Sequence, residues 1–236
     1  MDSEQLSPVR WVGSSLKDLR SFPPEVKAEV GHALYVAQQG DTDPAAKPLK
    51  GFGGVSVMEI VAPFDGNTWR TVYTVRFRGF VHVLHAFQKK SKSGIATPKK
   101  DIDLILTNGW QPQNETTKEG RKNMKTKRKT AKNADVTEGS GNVFADLGLP
   151  NADQELMKAR LTLQIYRIIK DRGITQTEAG KILGIPQPHV SALARNRSGN
   201  FSVGRLIDFL TALGQDVEIT VRPTRKDHGQ MSVVVA

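Results

Sequence analysis

Residues 174–199 read "ITQTEAGKILGIPQPHVSALARNRSG" and predict two short helices joined by a tight turn. Thr175 is a residue type that caps the start of a helix. Gly184 suits a tight turn, because glycine accepts left-handed backbone angles. A second helix is predicted from Gln187 to Asn196. The arrangement indicates a helix-turn-helix, although a plain helical bundle would also satisfy the apolar spacing.

The polar start of the second helix is a candidate DNA-reading surface. Such a helix fits the major groove, where short polar side chains reach base edges and helix amino termini hold phosphates. We therefore expect operator DNA as a partner of this region. The candidate DNA contacts are Gln187, His189, Ser191 and Arg195, with Gln176 of the first helix as a phosphate contact.

The helix-turn-helix lies inside an all-α region predicted over residues 143–223. An amphipathic pattern predicts a long helix before it, and residues 202–214 predict a further helix after it. The stretch "QDVEITVRP", residues 215–223, alternates apolar and polar side chains, which predicts a C-terminal strand. An exposed edge strand invites pairing with a second chain, so we expect a homodimer through this region. Residues 224–236 are expected to form a tail.

A different pattern fills residues 1–106. A short apolar segment and two helices come first, and the second helix follows the break at Phe22-Pro23-Pro24. Three stretches rich in β-branched and aromatic residues follow at short separations, which is typical of an antiparallel meander. A short helix closes the region. The order β-α-α-β-β-β-α predicts a small α+β domain with an antiparallel sheet, whose meander strands are expected over 55–62, 68–77 and 80–88.

Basic side chains from distant parts of this domain are expected near one face or end of the sheet, because neighbouring strands lie about 5 Å apart. Such a cluster can hold phosphates and stabilise the charge that develops when a phosphodiester is attacked. The alternative is that each one is a solvated surface charge. The candidates for RNA contact are Lys47, Lys50 and Arg76, and the candidates for catalysis are Arg70, Lys89, Lys90 and Lys92.

The sequence gives less support to a catalytic histidine or a metal site. His85 has apolar neighbours on its face of the predicted strand, which favours a packed core histidine over a catalytic base, although it stays among the catalytic candidates. The chain has no cysteine, so disulfides, thiolate metal sites and cysteine nucleophiles are excluded. No residue spacing suggests a metal site, and we expect no cofactor.

The net charge of +10 is most concentrated between the two regions. Residues 107–142 hold eight basic and four acidic residues and few large apolar ones. This segment cannot offset its own ordering entropy, so we expect a flexible basic linker. Its charge could also attract nucleic acid. Met124 lies inside the segment, at a place where a second protein could begin.

Three stretches of the first domain carry a resemblance to a known family. "KPLKGFGG" (47–54), "WRTVYTVRF" (69–77) and "VLHAFQKKSKSGIATPKKDIDL" (83–104) look like the RelE/HigB-type toxins, in particular the phage-derived HigB-like branch. The resemblance implies an RNase-like fold and cleavage of ribosome-bound mRNA without a metal.

That resemblance gives roles to the cations. Arg70 matches the arginine of the family's central strand, and Lys89 and Lys90 match the basic pair after the last strand. Arg70 and Lys90 would hold the scissile phosphate, and Lys92 is a further cation there. A neighbouring lysine would serve as proton donor.

The second region resembles another family. "TQTEAGKILGIPQPHVSAL" (175–193) is similar to the Xre/Cro repressors, over about residues 153–214, and the region reads as a HigA-like antitoxin. Such toxins and antitoxins are usually separate proteins, so the resemblance implies a toxin–antitoxin module in one chain, with the antitoxin beginning at Met124. We expect a toxin neutralised by a DNA-binding antitoxin that represses its own operon. The alternative is a DNA-binding repressor whose toxin-like half is an inactive corepressor or interaction domain.

An intramolecular toxin–antitoxin contact is expected at "NVFADLGLP", residues 142–150. Val143, Phe144 and Leu147 could dock on the toxin-like domain, or could serve as an amino-terminal staple of their own domain.

The sequence gives no sign of a membrane protein. No apolar run approaches the length that spans a bilayer, and the start "MDSEQLSPVR" lacks an apolar signal core. We therefore expect a cytoplasmic protein with no membrane contact.

Overall fold

The computed structural model describes residues 6–49, 57–75, 79–89, 97, 99–107, 135–194, 201–225, 229 and 233–234. These ranges contain six strands and eight helices, and none of the helices is long and apolar enough to span a bilayer. Met124 and five candidate site residues lie outside the described ranges. The five candidates are Lys50, Arg76, Lys90, Lys92 and Arg195.

The amino-terminal half has the predicted order of elements and one additional strand. The order β-α-α-β-β-β-α is confirmed, and the extra strand β2 lies between the second helix and the predicted meander. Pro24 opens the second helix, where its fixed φ and missing N–H cost nothing. The elements are β1 (Val9–Val12), α1 (Ser15–Arg20), α2 (Pro24–Gln38), β2 (Ala46–Pro48), β3 (Val57–Phe64), β4 (Asn67–Thr74), β5 (Val81–Lys89) and α3 (Lys99–Thr107).

A six-stranded sheet organises this half. Its strand order is β2-β3-β4-β5-β1-β6, where β6 (Val136–Glu138) comes from the end of the segment expected to be a linker. The meander of β3, β4 and β5 is antiparallel, as predicted. Asp65 and Gly66 form the tight β3–β4 turn with positive φ angles. β1 instead pairs in parallel with β5, so the sheet is antiparallel in all but one of its pairings.

Alternation along the strands gives the sheet two different faces. Met58 and Ile60 point to the face that α1 and α2 cover, and they belong to the larger core. Val57 and Val72 point to the other face, where they pack with Ile105 of α3 in a small separate core. We call these the α2 face and the α3 face.

The carboxy-terminal half is helical, and the predicted helix-turn-helix is confirmed. Two short helices flank Gly184, and a long helix and a final helix pack behind them around Leu161, Ile165, Leu206 and Phe209. The elements are α4 (Val143–Asp146), α5 (Ala152–Asp171), α6 (Gln176–Leu183), α7 (Gln187–Ala194) and α8 (Val203–Ala212).

The strand predicted within residues 215–223 is wrong. Residues 215–225 contain no strand. Val217 packs on the helical core, whereas Ile219 and Val221 are 74% and 91% exposed. Alternation of apolar residues does not suffice for a strand, because its N–H and C=O groups need a neighbouring strand as partner. The described part of the chain places none beside this segment.

Helix α5 belongs to the cores of both halves. Leu163 lies in the larger core with α2, whereas Leu161 and Ile165 lie in the helix-turn-helix core. Arg167 of the same helix pairs with Asp41 at 2.9 Å. The two halves are therefore packed on each other, in part through this shared helix.

Candidate functional site

Arg70, the central catalytic candidate, lies on the α3 face in a buried ion pair. Its Nη1 donates to Oε1 of Glu59 at 2.6 Å. The two side chains meet because they point to the same face from diagonal positions of β3 and β4. The hydroxyl of Thr97 donates to the same Glu59 oxygen at 2.5 Å and accepts from Arg70 at 3.3 Å. Arg70 is 3% exposed, and Thr97, two residues ahead of α3, lies against its guanidinium.

Two lysines of the same face are more accessible. Lys47 of β2 lies opposite Glu59 in the sheet, with its Nζ 3.6 Å from Glu59 Oε2, and its side chain is 45% exposed. Lys89 ends β5 opposite Thr68 of β4 and is half-buried. The structure therefore brings Lys47, Arg70 and Lys89 to one face of the sheet.

His85 of β5 also points to the α3 face. Its Nε2 lies 3.2 Å from Oδ1 of Asp101 in α3, and its ring stacks on Phe87 with 5.1 Å between centroids. The side chain is 8% exposed, in agreement with the packed position that its neighbours indicated. A histidine held by a carboxylate can transfer protons, but only to a substrate that reaches it.

Three polar residues of this face are missing from the sequence candidates: Glu59, Thr97 and Asp101. A signal for Glu59 was present, because a carboxylate among the apolar residues of "VSVMEIVA" needs a buried cation as partner. Thr97 is a residue type that often caps helices, whereas its hydroxyl here binds Glu59. Asp101 gave no signal, since an acidic residue in the first turn of a helix is ordinary.

Local contacts define the helix-turn-helix. The Thr175 hydroxyl accepts from the N–H of Glu178, and the Glu178 carboxylate accepts from the N–H of Thr175, which makes a complete capping box. The backbone bond from Thr175, and then its hydroxyl, lower the pKa of Glu178 because they favour its charged form. Gly184 ends α6 with φ 65°. A Cβ at Gly180 would lie 2.7 Å from the carbonyl oxygen of Ile185, so the turn packs closely on α6.

The DNA candidates that the structure describes occupy the start of α6 and of α7. Gln176, Gln187 and His189 are exposed, and Ser191 is half-buried. Gln187 Nε2 donates to Gln176 Oε1 across the turn. The structure therefore brings Gln176 and Gln187 together, and His189 follows on the exposed part of α7.

Residues 135–149, which we call the junction segment, are built into the amino-terminal half. Its strand β6 pairs antiparallel with β1, and Arg10 of β1 binds Glu138 of β6 at 2.8 Å. The side chain of Asn142 then accepts from the N–H of Phe144 at 3.1 Å and caps α4. The sheet of the first half thus ends on a strand from the stretch leading to the second.

Asp146 ties the junction segment to β1 and α1. Its Oδ2 accepts from Trp11 Nε1 at 3.2 Å, and its Oδ1 accepts from the N–H of Ser140 at 3.0 Å. Its carbonyl oxygen accepts from Nε of Arg20 at 2.7 Å. Asp146 and Trp11 are both buried, so the bond between them lies in the protein interior.

Val143, Phe144 and Leu147 lie in the larger core, at 2%, 0% and 0% exposure. Phe144 packs directly on Gly31 of α2, where an added Cβ would lie 2.8 and 2.9 Å from two of its ring carbons. These side chains contact the amino-terminal half from the α2 side of the sheet. Arg70, Lys47 and His85 lie on the other side.

Comparison with known proteins gives each half a family. Residues 17–108 match the family described as phage-derived protein Gp49-like, and residues 143–222 match a family described as a helix-turn-helix domain. The chain joins a Gp49-like toxin domain of the RelE/HigB-like kind to an XRE-type helix-turn-helix domain.

One solved structure and the curated proteins complete the comparison. A chain titled as an XRE family transcriptional regulator is 39% identical over 37% of this chain and 100% of its own length, with a TM-score of 0.35. No curated protein matches this chain. By the residues that the two families match, the Gp49-like domain carries the α3 face and the XRE-type domain carries Gln176, Gln187 and His189.

Proposed function

We propose that this chain is a toxin–antitoxin module in a single polypeptide. The Gp49-like domain cleaves ribosome-bound mRNA, and the XRE-type domain restrains it and represses the operon by binding operator DNA. The observation that carries the proposal is the junction segment, because the residues directly ahead of α5 complete the sheet and the core of the Gp49-like domain.

The junction segment is well suited to hold the two domains together. β6 covers the β1 edge, which would otherwise present unpaired N–H and C=O groups. Phe144 and Leu147 bury large apolar side chains against α2. Covalent linkage raises the effective concentration of the restraining domain to roughly millimolar. The XRE-type domain restrains the nuclease without contacting Arg70, because it adds its bulk to the α2 side of the sheet.

The proposed chemistry is cleavage of an RNA phosphodiester at the α3 face. Arg70 holds the scissile phosphate, Lys47 and Lys89 supply further positive charge, and His85 transfers a proton. Support comes from the placement of these four side chains on one face of the sheet. Lys50, Arg76, Lys90 and Lys92 belong to the same proposal.

The proposed DNA contact uses the amino-terminal ends of α6 and α7. The bond to Gln176 fixes the amide of Gln187 and leaves it an oxygen acceptor and one N–H donor. This pair complements N6 and N7 of adenine in the major groove. His189, Ser191 and Arg195 extend the contact, and a homodimer would place two such helices in successive grooves.

One observation favours a second function, that of a repressor whose Gp49-like domain is an inactive corepressor. Arg70 is neutralised by Glu59 and is 3% exposed, so the phosphate-binding group is not open to substrate in this structure. Under this alternative, the domain would contribute only its contacts with the junction segment.

Expression of residues 1–107 without the remainder of the chain separates the two functions. A nuclease arrests growth and leaves new 5′ ends inside translated mRNAs, whereas the full chain does not. Lys47→Ala and Lys89→Ala should weaken this effect. The control, Lys17→Ala, removes an exposed charge on α1, at the α2 face, and should leave it intact.

Arg70→Ala is a poor test by itself, because it leaves Glu59 buried without its guanidinium and costs about 3–5 kcal/mol of stability. Glu59→Ala combined with Arg70→Ala removes both charges and tests the guanidinium more cleanly. Normal growth and intact mRNA with folded residues 1–107 would exclude the nuclease and leave the repressor.

A further inference from the structure

Thr97 and helix α3 each make a polar contact with the sheet, and both contacts lie beside proposed catalytic residues. Thr97, two residues ahead of α3, donates to Glu59 beside Arg70. Asp101, in the first turn of α3, lies 3.2 Å from His85. Thr97 therefore contacts the phosphate-binding arginine, and α3 contacts the histidine.

The Glu59 carboxylate stands where an oxyanion of a ligand would bind. Its Oε1 accepts from Arg70 and Thr97, and its Oε2 lies 3.6 Å from Lys47 Nζ. A phosphate presents negatively charged oxygens to the same kinds of donor. Arg70 is 3% exposed and contacts both Glu59 and Thr97, so a phosphate reaches its guanidinium only if Glu59 and Thr97, two residues ahead of α3, give way.

The apolar contacts of α3 are separate from the main core. Ile105, at 0% exposure, and Ile102 pack with Val57, Val72 and Leu84 on the α3 face. The residues that hold α1, α2 and the junction segment belong to the larger core on the α2 face. α3 can therefore leave the sheet while the larger core stays closed, as local opening of small units does in many proteins.

We propose that α3 is a cover that closes the anion site of the Gp49-like domain. In the closed state the Glu59 carboxylate occupies the position of the scissile phosphate, and RNA displaces it on binding. The choice of RNA as ligand rests on the proposed nuclease function. The closed arrangement is then a resting state, and release of α3 precedes phosphate binding. Restraint by the XRE-type domain and closure by α3 act on opposite faces of the same sheet.

The absence of native cysteine allows a direct test in the full chain. Ile105→Cys places a single thiol under α3, and its labelling rate with a thiol reagent reports opening of the cover. Leu34→Cys, also at 0% exposure but in the larger core, is the matched control. We expect Ile105→Cys to react faster than Leu34→Cys under native conditions. Thr97→Val or Asp101→Asn should accelerate only the Ile105→Cys reaction, by about tenfold, because each removes one fastening contact.

RNA binding supplies the second arm of the test. A short 2′-O-methyl oligonucleotide, which cannot be cleaved, should accelerate labelling of Ile105→Cys because it binds the open state. Glu59→Gln should raise the affinity for this oligonucleotide several-fold, since it removes the competing charge. The Thr97→Val variant, which keeps the ion pair intact, should raise it in the same direction if Glu59→Gln fails to fold.

Any of three results would contradict the proposal that α3 is a cover. They are equal labelling rates for the two thiols, an unchanged labelling rate of Ile105→Cys when Thr97→Val is added, and slower labelling of Ile105→Cys in the presence of the oligonucleotide. Failure of the nuclease is distinguishable from these. If α3 opens and the oligonucleotide binds, but folded residues 1–107 do not cleave mRNA, the cover is retained and the nuclease is excluded. If mRNA is cleaved but α3 does not open, the proposal of a cover is excluded and the nuclease function is retained.

Discussion

Trp11 and Asp146, 135 positions apart in the sequence, are joined by a buried hydrogen bond of 3.2 Å. Trp11 belongs to β1 of the Gp49-like domain, and Asp146 ends α4 at the entrance to the XRE-type domain. The same carboxylate accepts from the N–H of Ser140, so it holds both β1 and the turn after β6. We expect the Gp49-like domain and the junction segment to unfold in one transition.

Asp146→Asn should lower the free energy of unfolding by about 1–3 kcal/mol. The amide keeps the shape of the side chain but removes the charge to which the buried Trp11 ring N–H and the Ser140 backbone N–H both donate, and one of its atoms becomes a donor facing another donor. Urea unfolding followed by tryptophan fluorescence measures the change. Asp216→Asn, an exposed residue after the last helix, is the control and should leave the midpoint unchanged. Equal stability of the two variants would contradict the role given to this bond.

Gly31→Ala should destabilise the protein although alanine is the better helix former. Glycine inside a helix costs about 1 kcal/mol relative to alanine. At Gly31, however, the new methyl group would lie 2.8 Å from the buried ring of Phe144, and overpacking costs about 1–3 kcal/mol. Gly204→Ala in α8 meets nothing closer than 3.9 Å and should stabilise by up to about 1 kcal/mol.

The opposite signs of these two glycine substitutions are the diagnostic result, measured as shifts of the thermal midpoint. Gly31→Ala combined with Phe144→Leu should recover part of the loss, because leucine frees space beside α2. If Gly31→Ala raises the midpoint as Gly204→Ala does, Phe144 does not pack on α2 as described.

His32 should make the protein less stable as the pH falls below about 6.5. Burial lowers the pKa of His32 from 6.5 to about 3, even with Asp43 3.6 Å away. Between these two pKa values the unfolded chain binds a proton that the folded chain does not, so stability declines with decreasing pH in this window. The loss between pH 6.5 and pH 5 is about 2 kcal/mol, from the 1.36 kcal/mol that each pKa unit represents.

Urea unfolding at pH 7 and pH 5 measures that loss. His32→Leu should reduce the difference between the two pH values by about 2 kcal/mol, because it removes the titrating group. The exposed His189→Gln is the control and should keep the difference of the unsubstituted chain. An unchanged pH dependence in His32→Leu would show that His32 is not held neutral by burial.

Gln187→Ala should weaken binding to the operator by about 1–3 kcal/mol, the usual worth of a bidentate base contact. Gln176→Ala should cause a smaller loss, because it removes the bond that orients the Gln187 amide. Binding of the full chain to DNA from its own promoter, at fixed salt, gives the affinities. Gln154→Ala, an exposed glutamine at the start of α5, should bind as the unsubstituted chain does. Equal affinities for Gln187→Ala and Gln154→Ala would exclude α7 as the reading helix.

Features set by neighbouring residues could be predicted from the sequence. The capping box at Thr175, the turn at Gly184 and the Asp65-Gly66 hairpin depend on residues a few positions apart, and all three are found in the structure. The meander and the helix-turn-helix follow from such signals. The apolar alternation around Val217 led to the wrong prediction of a strand, because a strand also needs a partner strand.

Features that join distant residues could not be read from local patterns. The parallel pairing of β1 with β5, and the strand β6 at Val136–Glu138, depend on contacts across much of the chain. β6 lies in a polar, charged stretch that reads as a linker, and its three residues are exposed, so it has no apolar alternation. The pairing of Glu59 with Arg70 requires knowledge of which strand faces which.

The most direct test of the central claim is inhibition of mRNA cleavage in a translation reaction. Cleavage by residues 1–107 is measured while residues 124–236 are added as a separate chain, with Phe144→Ala in that chain as the disrupted control. We predict that cleavage falls to the level of the full chain at a 1:1 ratio and that Phe144→Ala requires at least tenfold more protein. Cleavage that persists at an equimolar or greater amount of residues 124–236 would contradict the claim that the XRE-type domain restrains the toxin.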